Sequence, residues 1–119
     1  MDKVQALYQF WSSFGIKAYD ESSVPSDAQL PYITYDVAID SFGSDVAMSA
    51  SLWYYGTSWA DITRKSFEIA EVLNNGGKTI SYDKGLLWIK KASPFMQRIG
   101  DTNDMIRRVL INISAEYID

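Results

Sequence analysis

The sequence predicts one α+β domain spanning residues 1–119, with a mainly antiparallel β-sheet and two helices packed on one face of it. Three observations support this prediction. Two segments, at residues 2–14 and 59–73, have the apolar spacing of amphipathic helices. The remaining segments alternate apolar and polar residues with the period of two that is typical of strands. The strands come in blocks and do not alternate strictly with helices, so the predicted order is α-β-β-β-α-β-β-β.

The first predicted helix runs from Asp2 to Phe14 and ends at Gly15, because glycine readily adopts the backbone that stops a helix. A short strand is predicted over Ile16–Tyr19. The polar loop Asp20–Gln29 follows, and loops of this length in small domains are often functional. The apolar stripe of the helix either packs on the core or docks on a neighbouring subunit, and it comprises Val4, Leu7, Tyr8, Trp11 and Phe14.

A β-hairpin is predicted over Leu30–Tyr55. The odd-numbered residues from Ile33 to Ile39 share one face of the first arm, and the even-numbered residues from Val46 to Tyr54 share one face of the second. Between the arms, the cluster Asp40–Asp45 is rich in turn-forming residues and is predicted to project as a tip. Paired aspartates on such a hairpin could act as acid and base or hold a cation, but they are typical of a solvated strand face.

The second helix is predicted over Trp59–Leu73, with Ser58 and Asp61 as an approximate capping box. Strands are then predicted over three segments, Lys78–Asp83, Leu86–Lys91 and Ile106–Ile118. The segment Ala92–Asp104 has no clear assignment, because Pro94 disfavours a central strand. Its apolar residues need burial in this subunit or in another one.

Composition removes several kinds of chemistry. The chain has no cysteine and no histidine, so it lacks thiol chemistry and the commonest general base and metal ligand. We therefore predict no enzyme, no catalytic residue, no metal and no cofactor. A net charge of −4 argues against a partner that is held through many phosphates. No apolar run approaches the ~20 residues of a membrane span, so no membrane association is predicted. Four tryptophans and eight tyrosines favour contact surfaces.

Two segments carry a resemblance to a known family. The segment Lys90–Ile99 and the strand Arg107–Glu116 resemble the small head–tail neck proteins of long-tailed bacteriophages, in particular the tail-terminator family. The strand fits the pattern R-x-[VYI]-x-[IL]-N-[IL]-x-[VA]-E of that family. The hairpin start Leu30–Val37 and the helix after Gly56, with Trp59 near its start, are similar too.

The resemblance implies a structural virion protein, a minor tail protein assembled in the host cytoplasm and located in the neck of the virion. Such a protein forms a homo-oligomeric ring, usually a hexamer, that caps the tail tube and stops its polymerisation. Its implied partners are copies of itself, the tail-tube protein and the head connector protein, and genome DNA passes through the ring without specific binding. Another neck protein, of the tail-completion or head-closure type, is the alternative. A monomeric assembly chaperone or a regulatory binding module is an alternative of a different class.

Under this hypothesis, subunit and partner contacts are predicted in three exposed segments, Ser93–Asp104, Asp20–Gln29 and Ser41–Asp45. The alternative is that Phe95 and Ile99 pack under the subunit's own sheet. The predicted interface residues, with Arg107 added from the start of the last strand, are Phe42, Asp45, Pro94, Phe95, Met96, Arg98, Ile99 and Arg107.

Overall fold

A computed structural model describes residues 1–40 and 43–119 of the chain. It is an α+β structure with two α-helices and a six-stranded sheet, which confirms the predicted class. A short 3₁₀ turn over Ser12–Phe14 follows the first helix. The elements are α1 (Lys3–Trp11), β1 (Lys17–Asp20), β2 (Tyr32–Tyr35), β3 (Asp45–Tyr55), α2 (Ala60–Leu73), β4 (Lys78–Tyr82), β5 (Gly85–Ile99) and β6 (Ile106–Ile118).

The sheet has the strand order β1-β2-β3-β6-β5-β4, so β6 lies between the two other long strands. Only the first pair, β1 with β2, is parallel, and the other four described pairs are antiparallel. The prediction of a mainly antiparallel sheet is therefore correct. The two edges of the sheet are the short strands β1 and β4, which limits the length of unpaired backbone at each edge.

One face of the sheet, here called the inner face, forms the core together with the helices. Alternate residues of β6 from Val109 to Tyr117 are completely buried, as the strand period of two requires. The buried side chains of α1 and α2 belong to the same core cluster, with Leu7 and Ile62 among them. Both helices therefore cover the inner face, and the opposite or outer face is left without a helical cover.

The buried side of α1 differs from the predicted stripe. Val4 and Tyr8 are 44% and 52% exposed, whereas Ala6 and Phe10 are buried. The core-facing stripe is rotated toward the side that carries Phe10, whose ring packs edge-on against Trp11. Spacing alone could not separate these adjacent stripes, because both have helical periodicity. The predicted stop is correct, since Gly15 has a φ of 83°.

The predicted hairpin exists, but its arms are unequal. Strand β2 ends at Tyr35, so the prediction of a first arm extending to Ile39 is wrong, and Ile39 is 48% exposed. The pairing ends where the Asp36 carboxylate accepts a hydrogen bond from the backbone N–H of Ser49 at 3.0 Å. The backbone N–H of Asp36 still donates to the Ser49 carbonyl oxygen at 3.1 Å, so the carboxylate takes the place only of the Asp36 carbonyl as the acceptor of the return bond. The beginning of β3 at Asp45 pairs with β6 instead of with β2.

Strand β5 continues across the segment that the sequence left unassigned. Its pairing with β6 is interrupted between Lys91 and Met96, which are opposite Ile113 and Ile111. The intervening residues 92–95 form a bulge opposite Asn112, whose side-chain amide donates to the carbonyl oxygen of Pro94 at 2.9 Å. Proline is tolerated at such a bulge because no ladder bond is required of it there.

Helix α2 begins without the predicted capping box. Its N-cap is Trp59, and the hydroxyl oxygen of Ser58 accepts a hydrogen bond from the N–H of Ala60 at 3.0 Å. Asp61 instead pairs with Arg64. The helix ends at Leu73, as predicted, and Gly77 shortly after its end has a φ of 79°. A Cβ at that glycine would also lie 2.4 Å from the carbonyl oxygen of Ile89, so glycine is required.

Candidate interaction surfaces

The outer face of the sheet carries large side chains that no helix of the described chain covers. Tyr19 and Tyr32 lie on neighbouring strands with ring centroids 5.6 Å apart, and Trp53 is directly opposite Tyr32. Leu110 and Trp88 extend the face across β6 and β5. All five side chains are only half-buried. Half-buried tyrosine and tryptophan on an open sheet are typical of a surface that contacts another molecule.

The start of β6 brings arginines and tryptophans together. The guanidinium of Arg98 lies 4.8 Å from the ring centroid of Trp59, and that of Arg107 lies 5.2 Å from the same ring. On the outer face, Arg108 lies 4.8 Å from the ring centroid of Trp53. These five residues are called the arginine end below. Cation–π contacts of this kind hold the guanidinium planes in place without neutralising their charge.

The three arginines differ in how many guanidinium N–H groups remain without a hydrogen bond within the subunit. Arg107 donates two hydrogen bonds to the carbonyl oxygen of Thr57 and one to that of Asp104, so it ties the α2 entry loop to β6. Arg108 uses only its Nε, which donates to the Ser51 hydroxyl at 3.0 Å. The guanidinium of Arg98 makes no hydrogen bond or ion pair with any residue that the structure describes. The guanidinium groups of Arg98 and Arg108 are therefore available to a partner.

The predicted interface residues of β5 lie in the bulge and beyond it. Phe95 and Met96 are half-buried and pack against the subunit's own core, which is the intrasubunit burial considered above for Phe95. The ammonium group of Lys91 lies 5.7 Å from the Phe95 ring centroid. Pro94 is exposed, and Ile99 is half-buried opposite Arg108 on the outer face. Their role in subunit contact stays a prediction.

Phe42 lies outside the described residues, and Asp45 is placed within the sheet. Asp45 is the first residue of β3, opposite Glu116. Its carboxylate accepts hydrogen bonds from Lys90 Nζ at 3.0 Å and from the Ser114 hydroxyl at 3.3 Å. The Lys90 ammonium holds the pKa of Asp45 below its ordinary value, and Asp45 in turn raises the pKa of Lys90.

A cavity of about 300 Å³ lies at the turn between β4 and β5, far along β6 from the arginine end. In its lining, the ammonium group of Lys3 donates a hydrogen bond to the carboxylate of Asp119, with an N–O distance of 2.7 Å. This bond raises the pKa of Lys3 and lowers that of Asp119. The residues that line this cavity, called the acidic pocket below, are Asp2, Lys3, Tyr82, Asp83, Lys84 and Asp119.

A larger open groove of about 820 Å³ lies beside β1, between the strand and residues 25–31. Part of its wall comes from the loop Asp20–Gln29, which the sequence singled out for partner contact. Pro25, Ala28 and Tyr19 contribute to the lining. At the start of this loop, the backbone N–H and the hydroxyl of Ser22 donate hydrogen bonds to the carboxylate of Asp20. These hydrogen bonds lower the pKa of Asp20.

Metal chemistry finds no support in the described residues. No group of three or more aspartates or glutamates there is arranged to hold a metal ion. Neither described helix has the length and the apolar run needed to cross a bilayer.

Comparison with known proteins does not identify a family for this chain. No family model and no curated protein matches the chain. The resemblance to phage neck proteins therefore depends on the quoted segments, which the structure places in two adjacent strands. Lys90–Ile99 lies within β5, and Arg107–Glu116 lies within β6.

Sequence reasoning missed three members of the arginine end: Trp53, Trp59 and Arg108. The high tryptophan count indicated contact surfaces but did not show which rings are half-exposed. Alternation did place Arg108 and Trp53 on the face opposite the core. Their proximity depends on the β3–β6 register, in which the two residues are directly paired. A single sequence does not specify that long-range register.

Proposed function

We propose that this protein is a tail terminator of a long-tailed bacteriophage, a structural virion protein of the neck. In this proposal it forms a ring of six copies on the end of the tail tube. The ring stops tube polymerisation and provides the interface for head attachment. The resemblance of Lys90–Ile99 and Arg107–Glu116 to tail terminators supports this assignment.

The observation that carries the proposal is the uncovered outer face of the sheet. Its half-buried aromatic residues, including Tyr32 and Trp53, form a surface suited to contact with protein. The fold also keeps the inner face for its own core, so contact at the outer face does not require unfolding. A protein that works by contact needs such a surface and needs no catalytic group.

A ring would end tube growth through the difference between its two sides. Copies related by rotation make the same heterologous contact until the ring closes. One side of the ring would stack on the tube, and the other would not accept a further tube subunit. The net charge of −4 is compatible with a channel wall that repels DNA during genome passage. The partners in this scheme are the tube protein, the head connector and neighbouring copies.

A neck protein of the tail-completion or head-closure type would use the same contact surface on a different ring. A monomeric chaperone or regulatory module would bind a partner through the same aromatic face, but it would be absent from the finished particle. These alternatives therefore differ in mass and in location, and both properties can be measured.

The experiment combines the mass of the native full chain with electron microscopy of tail tubes. We expect rings in solution or on tube ends, and tubes that stop growing when the protein is added. The matched variants are Trp53→Ala on the outer face and Phe67→Ala on the exposed side of α2, where Phe67 is 61% exposed. The first should reduce capping and the second should not. A chain that stays monomeric and leaves tube growth unchanged would contradict the proposal.

A further inference from the structure

The arginine end carries positive charge that the subunit itself does not neutralise. The guanidinium of Arg98 has no hydrogen-bonding or ionic partner among the described residues, and the terminal amino groups of Arg108 are unpaired. Each guanidinium is held over a tryptophan ring, so little conformational freedom remains to be lost on binding. Tryptophan and arginine are also the residues most enriched among those that dominate binding energy. A planar guanidinium of this kind binds carboxylates through two parallel hydrogen bonds.

Complementary chemistry lies at the other end of the same strand. The acidic pocket has three carboxylates, from Asp2, Asp83 and Asp119, and two lysines. Nearby, Asp45 and Glu116 share the single ammonium group of Lys90. Some of the pocket charge is already paired, since Asp119 binds Lys3 and Asp83 binds the amino group of Met1. With the Met1 amino group counted, this region of the described chain has five side-chain carboxylates and four ammonium groups, an excess of one carboxylate.

The pocket wall also contains an unsatisfied polar group. Tyr82 is 8% exposed and lines the pocket, and its hydroxyl has no hydrogen-bond partner among the described residues. Burial raises the pKa of this hydroxyl, so it stays neutral and is available as an acceptor. A buried hydroxyl without a partner costs free energy that a donor brought by a second molecule would recover.

The two surfaces are too far apart to meet within one copy. Eleven residues of extended chain separate Arg108 from Asp119, which corresponds to about 36 Å. The longest dimension of the molecule is 44 Å, so the surfaces lie near its opposite ends. Two complementary surfaces at opposite ends of one chain make a head-to-tail contact between copies, and such a contact closes into a ring when the rotation between copies allows it.

We propose that the arginine end of one copy binds the acidic pocket of a second copy. The inference rests on the proposed ring function and names the two surfaces that close the ring. Arg98, beside Trp59 on the inner side, and Arg108, beside Trp53 on the outer face, supply guanidinium groups from the two sides of this sheet end. Asp83 and Asp119 supply the carboxylates. The tryptophan rings exclude water from the contact, which strengthens these charge-assisted hydrogen bonds.

The first test reverses charge at each end of the full chain. Arg98→Glu with Arg108→Glu should abolish self-assembly, and so should Asp83→Lys with Asp119→Lys, as measured by native mass spectrometry and sedimentation. The single change Arg98→Glu should weaken the copy-to-copy dissociation constant about 30-fold or more, which is the effect of a dominant contact residue. Lys78→Glu makes the same charge change at an exposed residue of β4 and should leave assembly unchanged. Thermal melts identify any variant that has lost its fold, and Arg98→Ala then serves as the milder replacement.

The second test mixes the two double variants, each of which is expected to be monomeric alone. In a head-to-tail contact, the intact acidic pocket of the arginine variant can still bind the intact arginine end of the acidic-pocket variant. The mixture should therefore assemble although neither variant does so alone, because this contact is intact and the two reversed surfaces also carry opposite charges. This result would also exclude a symmetric contact that uses the same surface on both copies.

Four outcomes would overturn the inference. Rings that persist in the arginine double variant would show that another surface joins the copies, and the proposed function would stand. Loss of assembly in the arginine variant alone, with the acidic variant still assembling, would show that the arginine end binds a different surface of the neighbouring copy. Binding of a labelled single-stranded oligonucleotide that is lost with Arg98→Glu, while assembly is unaffected, would assign it to phosphate. A wild-type chain that stays monomeric but caps tubes would reject the contact between copies and keep the terminator function.

Discussion

Along β6, the odd-numbered residues from Val109 to Tyr117 are completely buried, whereas the even-numbered residues from Leu110 to Ile118 are only partly buried. The two sets belong to the same strand and differ only in the face they occupy. The inner set is apolar except for one hydroxyl, and the outer set contains Asn112, Ser114 and Glu116. The inner face therefore supplies folding stability, and the outer face is free to carry contacts. The expected effect of a substitution should depend on the face it touches.

The largest expected difference between the faces comes from two adjacent residues of β6. Ile111 is completely buried, so Ile111→Ala should lower the free energy of unfolding by about 2–5 kcal/mol, because it leaves a cavity in the core. Leu110→Ala on the outer face should cost about 1 kcal/mol or less, since its side chain is already partly solvated. Urea denaturation measures both values. Equal losses at the two positions would contradict the distinction between the faces.

Tyr117 is the polar exception on the inner face. Its hydroxyl donates to the carbonyl oxygen of Ala38 at 2.6 Å, and burial raises its pKa to about 12. Tyr117→Phe should lower the free energy of unfolding by about 1–2 kcal/mol, because the Ala38 carbonyl loses its donor. Chemical denaturation at pH 7 tests this value, and a cost near zero would mean that water replaces the hydroxyl.

The same tyrosine gives a pH dependence with a definite sign. An unfolded tyrosine ionises near pH 10, whereas folded Tyr117 stays protonated to about pH 12. Its contribution is therefore complete below about pH 10 and is lost as the pH rises toward 12. Thermal melts across this window should show a steeper decline for the wild type than for Tyr117→Phe. Parallel declines would mean that other tyrosines cause the effect.

Prediction from sequence succeeded where a short periodic segment decides the structure. The bounds of β6 are the predicted ones, and buried and partly buried residues alternate without interruption from Val109 to Ile118. The errors occurred where a contact with a residue distant in the sequence determines the local structure. The end of β2 depends on the bond between the Asp36 carboxylate and Ser49, and the course of β5 through Pro94 depends on Asn112. No local pattern in the sequence reveals either partner.

The candidate interaction residues show the same difference between what local sequence predicts and what long-range contacts decide. The segment around Phe95 was recognised from its unusual apolar character, which is a local property. The arginine end was recognised only in part, through Arg98 and Arg107. Its tryptophans come from β3 and from the start of α2, and the register of three strands is needed to bring them to the arginines. Trp59 belonged to the predicted helix stripe, and its contact with two guanidinium groups was not foreseen.

Asn112 tests the outer face with a smaller effect. Its side-chain amide donates to the Pro94 carbonyl and thereby holds the bulge of β5 against β6. Asn112→Ala should lower the free energy of unfolding by about 0.5–1.5 kcal/mol, the usual value for one hydrogen bond. Hydrogen exchange should show faster exchange confined to residues 91–96. Ser114→Ala is the neighbouring control on the same face and should leave exchange at residues 91–96 unchanged. Faster exchange across all of β5 in Asn112→Ala would contradict a local role for Asn112.

The smallest expected effect is at the exposed pair of Asp45 and Lys90. The pKa of Asp45 is lowered in the folded protein, so the pair stabilises the fold above the ordinary aspartate pKa and loses this contribution as the pH falls through the folded value. Asp45→Asn should therefore melt at a slightly lower temperature than the wild type at pH 7, and the gap should close in acid. The gap should also narrow with added salt, because exposed charges are screened. Asp27→Asn, in the exposed loop beside β1, should show no gap at either pH. A gap that persists unchanged in acid would mean that Asp45 stabilises β3 through its hydrogen bond to Ser114, which does not require the charge of Lys90.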